Sequence, residues 1–151
     1  MGLCSGIEIR FVREGDGEAI LWVSRHPPLP SQIRFLEKKF EDPKIIQVSG
    51  RIPNAEYVAE TAQNFNAKVI IPVLPLSFIA RLVELSRKFG FEVWWAEMEQ
   101  VGIVSYQPEP HKDYNPETDA FIKGYEGTYK IMRFKKFHRI KEIKMVMEEV
   151  E

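Results

Sequence analysis

Lys68-Val69-Ile70-Ile71-Pro72-Val73-Leu74 is a nearly continuous apolar run, and runs of this length and kind read as strands covered on both faces. Pro72 is the discordant residue, because it lacks an N–H for the ladder and prefers a strand edge, an end or a bulge. Downstream, Ser77 suits a helix cap, Ile79, Leu82, Val83, Ser86 and Phe89 share one helical face, and Gly90 supplies the stop. Residues 91–98 then form another strand, with Trp94 and Trp95 on opposite faces. Upstream, residues 44–49 carry Ile45, Ile46 and Val48 in a strand that Gly50-Arg51-Ile52-Pro53 ends. Asn54 can cap a helix with a buried stripe of Val58, Ala62 and Phe65. Further back, the apolar run 19–24 precedes Pro27-Pro28-Leu29-Pro30, and Ile33, Leu36 and Phe40 recur at helical spacing after Pro30 and Ser31.

Strand and helix thus alternate strictly through short connections, which predicts parallel strands flanked by helices in a Rossmann-like, three-layer α/β core of βαβαβαβ order. Residues 7–12 read as an additional strand, folded back antiparallel through a hairpin turn at Asp16-Gly17. Residues 105–127, with Pro108, Pro110, Asn115-Pro116 and Gly124, lose all periodicity and read as a long loop or lid. Residues 128–134 and 139–150 read as a C-terminal β-hairpin around Lys135-Lys136-Phe137-His138, although the second half also fits a helix. At 151 residues and 44% apolar content, the expectation is one domain over 1–151.

Charge excludes little on its own. Acidic and basic residues number 22 and 21, so any affinity for nucleic acid or anionic lipid has to come from a local patch. Cys4 is the single cysteine, which excludes an intramolecular disulfide. Met1-Gly2 is followed by Gly6 where a myristoylation signal needs Ser or Thr. No secretory signal pattern occurs, nor any apolar stretch near the roughly 20 residues of a membrane span. A cytoplasmic setting is therefore expected, and Lys and Glu rich composition with few Asn and Gln suggests a hot environment.

In open α/β sheets, ligands bind beyond the carboxyl ends of the parallel strands. Four segments meet that condition: Ser24-Arg25-His26, Ser49-Gly50-Arg51, Leu74-Pro75-Leu76-Ser77 and Glu97-Met98-Glu99. Ser24, Arg25, His26, Ser49, Arg51, Ser77 and Glu97 are accordingly the candidate ligand-binding residues. Guanidinium groups, an imidazole, hydroxyls and helix N-terminal amides suit a phosphate or carboxylate. A structural role competes with this, in which Arg25 and Arg51 pair with Glu97 and Glu99 across the sheet end. His26 has the chemistry of a general acid or base, but it also suits an ordinary loop histidine. Ser24 lacks the Gly-x-Ser-x-Gly elbow of a hydrolase. Neither Gly-x-Gly-x-x-Gly nor a Walker loop is present, so no dinucleotide cofactor is expected. The histidines show no ligand spacing, so no metal is expected. Glu97 and Glu99, two apart on a strand, are nevertheless spaced like the carboxylates of a metal-dependent phosphodiesterase.

Arg133, Lys135, Lys136 and Arg139 interleave with Phe134 and Phe137, a pattern that can engage phosphates and stack bases. The same lysines also suit protection of an edge strand. An indole of Trp94 or Trp95 left on an open face would mark a homodimer surface.

Taken together, Trp22-Val23-Ser24-Arg25-His26, the helix over 32–40, Ile46-Gln47-Val48-Ser49, Val73-Leu74-Pro75-Leu76 and the run from Arg139-Ile140 to Met147 resemble a family of small proteins from phages, prophages and archaeal mobile elements. The resemblance spans most of 19–98 and 128–149. It implies a mobile-element context and draws attention to Arg25 and His26, while transferring no reaction; the loop at 105–127 departs from the pattern. Two functional expectations follow: a binding domain for a small anionic, nucleotide-like ligand, or a regulator that touches nucleic acid or protein through its basic C-terminal segment.

Overall fold

The computed structural model describes residues 6–151; the readings made on residues 1–5, Cys4 among them, lie outside these. Ten elements follow in order: β1 (Ile7–Arg13), β2 (Ala19–Val23), α1 (Pro30–Lys39), β3 (Lys44–Gly50), α2 (Ala55–Asn64), β4 (Ala67–Pro72), α3 (Leu76–Phe89), β5 (Glu92–Val104), β6 (Asp119–Lys123) and β7 (Tyr129–Ile140). The strands form one mixed sheet in the order β1-β3-β2-β4-β5-β7-β6. As the alternation predicts, β3, β2, β4 and β5 run parallel. The sheet as a whole is strongly curled and antiparallel on both flanks, so the description that holds is a mixed α/β fold with a seven-stranded sheet and three helices.

Every residue of β2 is buried. Its alternate side chains feed two cores. Leu21 and Val23 join Ile46, Val48, Ile70 and Val93 under α2 and α3. Ile20 and Trp22 join Ile45, Val69, Ile71 and Trp94 under Leu36 of α1. Local chemistry sets the helix ends: Asn54 Oδ1 accepts from Tyr57 N at 2.8 Å, Gln32 Oε1 accepts from Leu29 N at 2.7 Å, and Gly90 closes α3 at φ 80°. Pro72 lies at the last position of β4, where a missing donor does least harm.

Three expectations are corrected. The Asp16-Gly17 turn does not fold β1 onto β2; β1 pairs with β3, so the chain crosses the amino end of β3 before entering β2. The crossing is pinned by Arg13, which donates to Glu37 at 2.7 Å, Asp42 at 3.0 Å and the Pro43 carbonyl at 2.8 Å. Gly17 N in turn donates to Asp42 O at 2.8 Å. A Cβ on Gly17 would stand 1.9 Å from the Glu41 carbonyl oxygen, so glycine serves close chain approach here rather than a hairpin turn.

The C-terminal hairpin is β6–β7, turning through residues 124–128, and residues 135–138 lie within β7 rather than at a turn. Residues 141–151 form neither strand nor helix. Strand periodicity does not carry through this segment because the two-residue period breaks at Lys135, which falls between the pairs Glu97↔Lys136 and Met98↔Phe134. That bulge lets Phe134 and Phe137, three apart, pack together with ring centroids 4.8 Å apart.

The loop expected over 105–127 contains β6 and is internally braced. Asp113 accepts from Tyr106 Oη at 2.7 Å and from Glu109 N at 2.9 Å, and Glu117 O accepts from Ser31 N at the start of α1.

Gly17→Ala is expected to lower stability by about 1–3 kcal/mol, because the loop and the backbone at Glu41 must separate. Urea unfolding checks this through a lower midpoint at unchanged slope.

Candidate functional site

The chain leaves two neighbouring strands in opposite directions. After β2 it passes to α1 on one face of the sheet, and after β4 it passes to α3 on the other. Diverging connections of this kind open a crevice at the carboxyl ends of the strands between them. A cavity of about 300 Å³ lies there, with Ser24, Arg25, His26 and Ser49 among its lining residues, over an apolar base that includes Val48 and Leu74.

The segment carrying the first three residues is held from beneath. Ser24 is buried, its N–H donates to Val48 O at 3.2 Å, and its carbonyl accepts from Gln47 Nε2 at 3.0 Å. His26 N donates to Ser24 Oγ at 3.2 Å, while Trp22 Nε1 donates to His26 O at 2.9 Å. Two buried side chains thus fix the backbone that presents the exposed Arg25 and His26 side chains. Neither Gln47 nor Trp22 figures in the sequence-derived site. The available signal was Gln47 itself, a polar residue amid Ile45, Ile46 and Val48, since a buried amide needs partners.

The other candidates separate. Arg51 flanks the cleft without lining it, and its N–H donates to Gly6 O at 3.0 Å. Ser77 is exposed in the first turn of α3, outside the cavity lining. Glu97 belongs elsewhere, because β5 shares only Glu92 and Val93 with β4 and then continues as a long antiparallel ladder with β7. There His138 Nε2 donates to Glu97 Oε1 at 2.6 Å, and Trp95 stacks on the imidazole at 5.5 Å. This hydrogen bond, with Lys135 and Lys136 nearby, outweighs desolvation and holds the Glu97 carboxyl below its ordinary pKa. Lys135 Nζ lies 3.7 Å from Glu97 and 3.4 Å from Glu99, so the spacing read as a metal-type carboxylate pair serves one ammonium group. No loop residue from 105–118 lines the cleft.

The electrostatic contrast between the two regions is clear. Among the described residues, Arg25 and Arg51 have no acidic partner within ion-pair distance, and the expected pairing with Glu97 and Glu99 does not form. On β7, by contrast, Arg133 pairs with Asp119 at 2.8 Å, Arg139 with Glu92 at 3.1 Å, and Lys135 with both glutamates; of the four basic candidates, only Lys136 lacks such a partner among the described residues. A larger open concavity of about 620 Å³ lies by the outer end of β5, lined in part by His111, Lys112, Asp119 and Arg133. Its guanidinium is already engaged by Asp119.

Asp119 is buried, and burial pushes its pKa up. The Arg133 guanidinium, the Asn115 N–H and the Thr118 hydroxyl together outweigh that and hold the carboxyl below its ordinary value. A lowered folded-state pKa means the stabilisation is complete above the ordinary value near 3.8 and is lost as pH falls through the folded one. Asp119→Asn is therefore expected to cost about 1–3 kcal/mol at neutral pH. In urea unfolding at pH 7 and pH 3, the gap between variant and parent should shrink at the lower pH.

No protein-family model, curated protein or solved structure matches this chain, so its fold and its residues carry the functional argument.

Proposed function

We propose that the protein is a binding domain for a small anionic ligand, phosphorylated or nucleotide-like, seated in the crevice beyond β2, β3 and β4. The observation that carries this reading is the meeting of Ser24, Arg25, His26 and Ser49 on one cavity, with no acidic partner for Arg25 among the described residues. A guanidinium left without a carboxylate at a concave site favours an incoming anion, and hydroxyl and imidazole groups add hydrogen bonds around it. The apolar base offers a surface for a sugar or base.

The cavity is near the small end for ligand sites, which run from about 300 to 1,000 Å³. That size, and the lack of a glycine-rich loop, favour a single phosphorylated group over a dinucleotide. The order β3-β2-β4-β5, reversing between β2 and β4, supports placing the core in the doubly wound, Rossmann-like class. A cytoplasmic, mobile-element setting belongs to the same proposal and rests on the sequence resemblance. The competing regulator, acting on nucleic acid through Arg133, Lys135, Lys136 and Arg139, has less support because three of these cations are already compensated.

Thermal unfolding against mononucleotides and phosphorylated sugars tests the proposal. A ligand at a hundred times its Kd stabilises by about 2.7 kcal/mol, which for a chain of this size raises Tm by about 5–10 °C. Arg25→Ala should abolish the rise, while Lys135→Ala combined with Lys136→Ala should leave it intact. No shift with any of these compounds at millimolar concentration would overturn the reading.

A further inference from the structure

The two edges of the sheet differ. β6 at one edge is five residues long and is bounded by the braced loop 105–118. β1 at the other is seven residues long, and its Ile9 and Phe11 are 42% and 46% exposed. It contains no proline. Among the described residues no strand pairs with the outer side of β1, and an exposed edge with apolar side chains is a template for another strand.

The direction of those ladder groups follows from the neighbouring strands. Val48 O accepts from Ser24 N, and Lys44 N donates to Glu18 O, so the even residues of β3 turn their backbone toward β2. The odd residues turn toward β1, as the bond from Arg51 N to Gly6 O shows. With the register Glu8↔Ser49 and Arg10↔Gln47, the backbone groups of Glu8 and Arg10 are consumed by β3. Those of Ile7, Ile9 and Phe11 face outward.

The sequence Ile7-Glu8-Ile9-Arg10-Phe11 is complementary to itself when reversed. About a two-fold axis through Ile9, Ile9 meets the partner's Ile9, Ile7 meets the partner's Phe11, and Glu8 meets the partner's Arg10. The Ile9 and Ile7–Phe11 pairs are the hydrogen-bonded ones. The Glu8–Arg10 pairs fall at the non-hydrogen-bonded positions, where side chains approach most closely. Ile7, Ile9 and Phe11 share the face on which Phe11 packs edge-on against Phe65 at 6.0 Å, so the apolar stripes of two copies would merge, while both ion pairs lie on the opposite face.

From this pattern of backbone direction, apolar stripe and charge, we propose that β1 is a self-association edge, and that a second copy of this chain pairs antiparallel with it about Ile9 to continue the sheet across an isologous dimer. The homodimer surface suggested by the tryptophans is a different one: Trp95 stacks on His138 on the ladder between β5 and β7. No β1 residue lines the proposed ligand cavity, and association state and ligand-induced stabilisation are read separately, so either proposal can fail alone.

Sedimentation over a concentration series tests this, with circular dichroism and Tm confirming that each variant folds. The parent chain should form a dimer. Arg10→Glu places like charges opposite each other twice in the interface and should raise the dimer Kd by about tenfold or more. Glu8→Arg combined with Arg10→Glu restores both pairs with reversed polarity and should restore the dimer. Ile9→Cys in a Cys4→Ser background should cross-link under mild oxidation, because the Cα atoms of a hydrogen-bonded antiparallel pair lie about 5.5 Å apart, within disulfide range. A parent chain that stays monomeric at millimolar concentration overturns the proposal. So does a dimer that Arg10→Glu leaves equally tight, or one that the double exchange fails to restore.

Discussion

The rest of the molecule depends on β2 having no solvent-facing side. Ile20 and Trp22 project into one core and Leu21 and Val23 into the other, so a sheet covered on one face alone would strand half of them in water. Burying a large aliphatic or aromatic side chain is worth about 1.5–3 kcal/mol, and helices on both faces are the arrangement that secures it for all four. Once α1 takes one face and α2 and α3 the other, the connections leaving β2 and β4 must diverge. The crevice between them is thus a by-product of how the centre of the sheet is covered.

The crevice is preorganised by residues that do not line it with charge. Gln47 and Trp22, both buried, satisfy the carbonyls of Ser24 and His26, so the backbone presenting Arg25 is held while its side chain stays in solvent. The antiparallel arm of β5 and β7 has the opposite character. Its cations sit beside carboxylates from β5 and β6, which lowers its attraction for anions. Nearly neutral composition therefore conceals two regions: one with cations balanced locally, and one where guanidinium groups lack acidic partners among the described residues.

The central elements were legible because their signals are local. Continuous apolar runs marked β2, β3 and β4, helical spacing marked the buried stripes of α1, α2 and α3, and Asn54 and Gly90 marked ends that lie where capping chemistry puts them. The carboxyl-edge rule then brought Ser24, Arg25, His26 and Ser49 together from parallel alternation alone. The same rule misplaced Glu97, because nothing in residues 91–98 shows that β5 leaves β4 after two paired residues. Ser77 was misplaced for a related reason: adjacency to a strand end does not say whether a side chain reaches the cavity.

What the amino-acid sequence determined by itself was the identity of the covered strands, the helices between them and the segments at their carboxyl ends, since burial on one face or two is written in side-chain periodicity. Tertiary structure alone decided that β1 joins β3 rather than β2, that a bulge at Lys135 keeps β7 in one piece, and that Glu97 and Glu99 face a lysine. Each of these depends on partners tens of residues away. Asp-Gly can equally serve a hairpin or a tight crossing, and an extra residue in a strand shows itself only when its partner strand is known.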